Sequence, residues 1–149
     1  MRPQNIEIDG RKFWSYKHGP IELVIMRTRH FPDTAISVDE SQWCSGALIN
    51  RRVWISGDTM FDADYPIRFS KMSEVMFHDT QLFYGGVHAS YQELNTLPDE
   101  VKSKMYLYHY GDNWDQPETW AKGATDYTGN PVKDGFLGWT EQNVAYDFK

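Results

Sequence analysis

One cysteine in 149 residues, Cys44, has no partner for an internal disulfide, which fits a reducing compartment. The chain has no run of about 18 apolar residues, so no membrane-spanning helix is expected. Its first residues, Met1 to Asn5, lead into no apolar stretch of signal-peptide type. These absences together make the cytoplasm the expected location. Positive charge is scarce as well: 15 Lys and Arg stand against 21 Asp and Glu, a net charge of -6. Such a balance excludes an extended nucleic-acid surface. It does not exclude a nucleotide or small phosphodiester, because bound metal ions supply local positive charge on an acidic protein. There is no internal repeat and no low-complexity segment. The five histidines, His18, His30, His78, His88 and His109, are well separated and form no His-x-His pair.

Hydrophobic residues make up 40% and charged residues 24%, the mix of a folded domain with its own core. A single domain over residues 1–149 is expected, with a core over about 20–112 and an irregular C-terminal extension over 113–149. Asp9-Gly10 between Asn5–Ile8 and Arg11–Tyr16 reads as the tight turn of a β-hairpin. The run Ile21 to Met26 is apolar on both faces, as in a strand buried on both sides. Gly46–Ile49 and Arg52–Ser56 flank Asn50-Arg51 as a second hairpin. Residues 57–73 read as a loop with a short helical turn, and Glu74–Phe77 as a strand ending at His78-Asp79. Ser90 with Glu93 has capping-box spacing, Asp99–Ser103 reads as helical, and Met105–Tyr108 as a strand. Pro117–Lys122 is expected to form a short helix and Glu141–Phe148 a final strand. Strands first, then strands alternating with helices, give an α/β fold, a mixed sheet with helices on one face.

Three constellations sit at expected strand ends. Gly57-Asp58-Thr59 follows a buried strand, where a carboxylate reaches the rim of the sheet, although Gly-Asp is also ordinary turn chemistry. His78-Asp79-Thr80-Gln81 precedes Gly86-Val87-His88-Ala89-Ser90 and brings two histidines and an acid to a strand end and a helix start. His78 continues the strand and reads as a buried structural residue. Leu107-Tyr108-His109 delivers an imidazole where one ring nitrogen can bind zinc while the other is held by an acceptor.

In this order the segments resemble the metallo-β-lactamase superfamily, in particular its ribonuclease Z-like and cyclic-phosphodiesterase-like branches. The resemblance covers roughly residues 20–112 and only the C-terminal half of that fold, half of an αββα sandwich. It implies Asp58 as a carboxylate bridging two metal ions and His109 as a histidine ligand. It implies His88 beside the scissile phosphate, Asp79 as a supporting acid, and His30 and Thr59 in the pocket. Zinc, or manganese or iron, is the implied cofactor, two ions in a completed site.

The family's His-x-His-x-Asp-His motif is absent, and Asp58 and His109 alone cannot fill a tetrahedral zinc site of three or four protein ligands. The expected function is therefore a metal-dependent, phosphodiesterase-like hydrolase component, completed by a second copy of the chain or by a complementary N-terminal half. The alternative is a catalytically inactive half-fold with a binding or structural role, in which Trp114, Trp120 and Trp139 line a partner surface or pin the tail to the core. A metal-free acid–base hydrolase using His88 and Asp79 ranks below both, since no nucleophile stands out.

Overall fold

The computed structural model describes residues 2–30, 39–40, 42–83, 85–120 and 128–147. Eight strands lie in one sheet in the order in which the chain makes them. They are β1 (Gln4–Ile8), β2 (Arg11–His18), β3 (Ile21–His30), β4 (Gln42–Ile49), β5 (Val53–Ile55), β6 (Val75–Asp79), β7 (Met105–Tyr108) and β8 (Gly138–Trp139). Pairing is antiparallel from β1 to β5 and parallel from β5 to β8. Three short helices, α1 (Asp64–Ser70), α2 (Tyr91–Asn95) and α3 (Asp99–Lys102), occupy the connections before β6 and β7. The mixed α/β class read from the sequence is the architecture found.

Register explains which side chains go inward. Ser15, Val24, Leu48, Trp54, Met76 and Met105 are successive partners across six strands, and all are buried. Phe69 of α1, Leu94 of α2 and Val101 of α3 join the same core, so these helices cover this face. Trp54 lies near-parallel to Phe69 with ring centroids 6.1 Å apart, and its indole N–H points at the Met26 sulfur, 3.2 Å away. The capping box expected at Ser90 is formed, with Glu93 returning the bond to the Ser90 backbone.

One residue along each strand, the side chains point the other way. Trp14, Ile25, Ala47, Ile55, Phe77 and Tyr106 form a second continuous row across the sheet. Trp14 is half exposed and the rest are only partly buried. Tyr146 covers one end of it, 5.6 Å from Phe77 and 4.9 Å from Tyr106 between ring centroids.

The C-terminal third departs from expectation. Residues 141–147 form turn and coil rather than a strand, and Phe148 lies outside the described residues. The eighth strand is instead Gly138–Trp139, paired to Tyr106 and Leu107. Of the expected helix at 117–122, a single 3-10 turn at Pro117–Thr119 forms, and Ala121 and Lys122 lie outside the described residues. Trp120 and Trp139 pack on Tyr91 at centroid distances of 5.0 and 5.7 Å, so these two indoles pin the extension to the core. Trp114 is 44% exposed at the edge of that cluster.

Candidate functional site

Strands β3, β5, β6 and β7 run in one direction, so their C-terminal ends share one edge of the sheet. In parallel sheets this edge is where ligands bind, because loops leaving it diverge and open a crevice. His30 ends β3, Asp58 follows β5, Asp79 ends β6 and His109 follows β7. His88 arrives from the loop between β6 and α2. That loop is tied at its base by Gln81 N–H to the Ala89 carbonyl and Tyr91 N–H to the Gln81 carbonyl, 2.8 and 2.9 Å, and Ala89 N–H reaches the Thr59 carbonyl at 2.8 Å.

Asp79 is the centre of the arrangement and is fully buried. One carboxylate oxygen accepts from the Thr59 backbone N–H at 2.9 Å and lies 2.6 Å from His88 Nδ1. The other lies 3.0 Å from His109 Nδ1. Opposite an acceptor carboxylate, the tautomer that fits both contacts has its proton on Nδ1 and its Nε2 lone pair turned away from Asp79. That is the arrangement in which an acid orients metal-binding or acid–base histidines through their far nitrogen. The His88 ring stands 4.6 Å from that of His109 and 5.1 Å from that of His30.

Asp79, His88 and His109 have ligand atoms close enough together to hold a metal ion. Two carboxylates compete for the part of direct ligand. The carboxylate of Asp79 is already taken by three N–H donors, whereas Asp58 has a half-exposed side chain 3.7 Å from His109 Nδ1. The donor set of imidazoles and carboxylates fits zinc or manganese, and the free acceptor capacity lies on Asp58.

The Gly-Asp-Thr turn that carries Asp58 is locked in place. Gly57 has φ of +65°, and a Cβ there would fall 2.3 Å from the Ser45 carbonyl oxygen, so this position accepts glycine alone. Thr28 Oγ1 donates to the Asp58 carbonyl at 3.4 Å, and the Met60 N–H bonds the Arg29 carbonyl at 2.6 Å. Thr59 is buried, and its hydroxyl, 3.1 Å from the Arg29 carbonyl, fixes backbone. His109 takes a left-handed backbone, φ +64°, a conformation that costs a non-glycine residue about 1–3 kcal/mol and is characteristic of functional sites.

His78 lies on the opposite side of β6, fully buried against Trp54, with Nδ1 2.7 Å from the Asp79 carbonyl. Burial lowers its pKa from the ordinary value, partly offset by that hydrogen bond. The fold thus prefers neutral His78, and its contribution is complete above about pH 6.5 and lost as acid brings the pH down through the lowered value. Melting temperatures between neutral and mildly acidic pH should fall more steeply for the native chain than for His78→Asn, which keeps the Nδ donor without a titrating ring. Parallel slopes would sink this assignment.

Sequence patterns brought Asp58, Asp79, His88, His109 and His30 to one edge, and the structure gathers all five. They gave no sign of Ser56 or Tyr108. Ser56 is fully buried and takes the Asp79 backbone N–H on its hydroxyl at 2.9 Å. Tyr108 OH stands 3.3 Å from the same oxygen, and burial pushes its phenol far above the ordinary range. Beside His88 opens a pocket of about 310 Å³, lined by Arg29, Met60, Phe61, Gly85, Gly86 and Glu93. No helix among the described residues is long and apolar enough to cross a membrane.

Comparison with known proteins gives a consistent set of relatives. The family described as Anti-Pycsar protein Apyc1 matches residues 4–132. The Anti-Pycsar protein Apyc1 of Bacillus phage BSP38 is 48% identical over 63 residues, 42% of this chain and 24% of that protein. That of Paenibacillus harenae is 45% identical over 98 residues, 64% of this chain and 37% of that protein. That of Paenibacillus xerothermodurans is 26% identical over 136 residues, 86% of this chain and 49% of that protein. The chain therefore spans between about a quarter and a half of these curated relatives. The crystal structure of the metallo-beta-lactamase fold protein YhfI from Bacillus subtilis aligns over 84% of this chain and 47% of that one, at 14% identity and a TM-score of 0.49.

Proposed function

Since this chain belongs to the Anti-Pycsar protein Apyc1 family, we propose that it is the site-bearing part of a metal-dependent phosphodiesterase acting on a nucleotide-sized substrate. A cyclic nucleotide is the substrate that the cyclic-phosphodiesterase-like pattern favours. The observation that carries the reading is the single buried carboxylate of Asp79 holding His88 and His109 by their Nδ1 atoms. Structural histidines need no such shared orientation; histidines that use Nε2 do. The adjoining pocket of about 310 Å³ is at the small end of ligand sites and suits one nucleotide rather than a polymer.

Asp58 and His109 would hold the metal in this reading, and His30 would line the same site. Bound divalent ions of this kind polarise a phosphoryl oxygen and supply hydroxide at neutral pH. His88, fixed through Nδ1, presents Nε2 to the leaving oxygen; Nε2 first takes a proton from water, the Asp79 carboxylate stabilises the imidazolium so formed, and that proton then passes to the leaving oxygen.

Asp58 and His109 are too few for a closed zinc site, so in this reading the remaining ligands come from a second copy or from a segment corresponding to the rest of the relatives' length. The partly exposed row from Trp14 to Tyr106 supports such an assembly, since apolar faces left without a covering layer mark interfaces. Elemental analysis for zinc, manganese and iron, read with native mass, tests the proposal. Metal in an assembled species, with phosphodiesterase activity that Asp58→Ala removes, is the expected result. An assembled, metal-free species without activity would favour the binding or structural role instead.

A further inference from the structure

We infer that Ser56 is a positioning residue, a single hydroxyl that sets the strand ends carrying Asp58, Asp79 and His109 at one height. The inference concerns the same site and rests on Asp79 being the acid that orients the two histidines.

The parallel ladder between β5 and β6 runs up to the Ser56 N–H, which bonds the Phe77 carbonyl at 3.0 Å. The next rung needs an acceptor for the Asp79 N–H. At that point Gly57, with φ of +65°, turns the chain out of the sheet. The Ser56 side chain takes over, accepting from the Asp79 N–H at 2.9 Å while its hydroxyl oxygen donates to the Gly57 carbonyl oxygen 2.7 Å away. With that proton committed, the contact to the Tyr108 phenol at 3.3 Å has the phenol as donor. The Thr80 N–H bonds the Tyr108 carbonyl at 2.9 Å, so residues 56, 79 and 108 form one connected unit across β5, β6 and β7.

Each of the three partners belongs to the site or lies one or two residues from a group in it. Ser56 is two residues before Asp58, Asp79 is itself the orienting acid, and Tyr108 precedes His109. A buried N–H without an acceptor is expensive, so Asp79 does not keep its place once the hydroxyl is lost. Its carboxylate would then no longer reach Thr59, His88 and His109 together. Ser56 touches neither imidazole and no reacting atom, and its effect passes through Asp79.

Histidine ring tautomers provide the readout, because a general loss of packing does not select one ring nitrogen over the other. Nitrogen-15 spectra of labelled rings at about pH 8, above the ordinary histidine range, should show His88 and His109 in the Nδ1–H form. Ser56→Ala should release both to the Nε2–H form and lower zinc affinity about ten- to a hundredfold, the usual effect of losing an outer-shell partner. Ser56→Cys covers the case in which alanine does not fold, since sulfur fills the space but accepts weakly. Ser70→Ala is the control: Ser70 is buried and bonds the Ile67 carbonyl, and its loss should cost stability without changing either tautomer. Nδ1–H rings retained in Ser56→Ala or in Ser56→Cys would overturn the inference while leaving the role of Asp79 intact. Absence of the Nδ1–H form from the native protein would overturn both.

Discussion

Asp79→Asn is expected to lower zinc affinity by about ten- to a hundredfold while costing the fold only about 1–3 kcal/mol. Asparagine is nearly the same shape, but one of its two polar atoms donates instead of accepting. The oxygen that faces the Thr59 N–H has no alternative, since a backbone N–H cannot reverse its role. The amide nitrogen must therefore turn toward His109, where the native distance to Nδ1 is 3.0 Å. His109 can satisfy it only by accepting on Nδ1 and moving its proton to Nε2, the atom left free for a metal in the native protein. The fold survives because every buried group still has a partner, while the ligand is blocked. Competition titration against a chelator, run beside thermal unfolding, separates the two effects. Unchanged zinc affinity in a folded Asp79→Asn chain would mean that Asp79 does not orient the site.

Gly57→Ala should destabilise the fold by about 2–6 kcal/mol, the sum of a left-handed non-glycine residue and an overpacked contact at about 1–3 kcal/mol each. The added methyl would lie 2.3 Å from the Ser45 carbonyl oxygen, a backbone atom of the neighbouring strand. Gly19 separates the two contributions: its φ is +56°, and a Cβ there would meet nothing within 4 Å. Gly19→Ala should therefore show only the conformational part. Equal losses in the two variants, measured by denaturant unfolding, would mean that β4 yields at Ser45 and that Gly57 is not held as closely as its contacts imply.

Much of this was legible along the chain because it is written locally. The Asp9-Gly10 and Asn50-Arg51 turns, the Ser90–Glu93 capping box and the apolar runs before Asp58, Asp79 and His109 each follow from a few adjacent residues. The site was readable to the extent that its residues sit at strand ends. Asp79 as the shared acid for two histidines was not readable in that way, because its three donors come from residues 59, 88 and 109. Ser56 was hidden for the same reason, its partners being 23 and 52 residues away. The misplaced last strand has a different cause. Residues 141–147 have apolar side chains that suggest pairing, yet Tyr146 uses its ring to cover Phe77 and Tyr106. The edge of β7 goes to Gly138–Trp139, where Gly138 has a φ of +142° and no strand pattern announces it.

Strand order in this sheet equals chain order, and this bears on how quickly the protein can be made. Each strand finds its partner in the strand just before it, so the sheet can zip forward from the β1–β2 hairpin with no distant segment to wait for. Folding rate rises as the sequence separation of contacts falls, and the slowest steps should be the parallel additions of β6, β7 and β8, which must close over the intervening helices and loops. The edge that carries the candidate site is thus expected to assemble late: Asp58 is set early, whereas Asp79 and His109 come into register only as β6 and β7 dock.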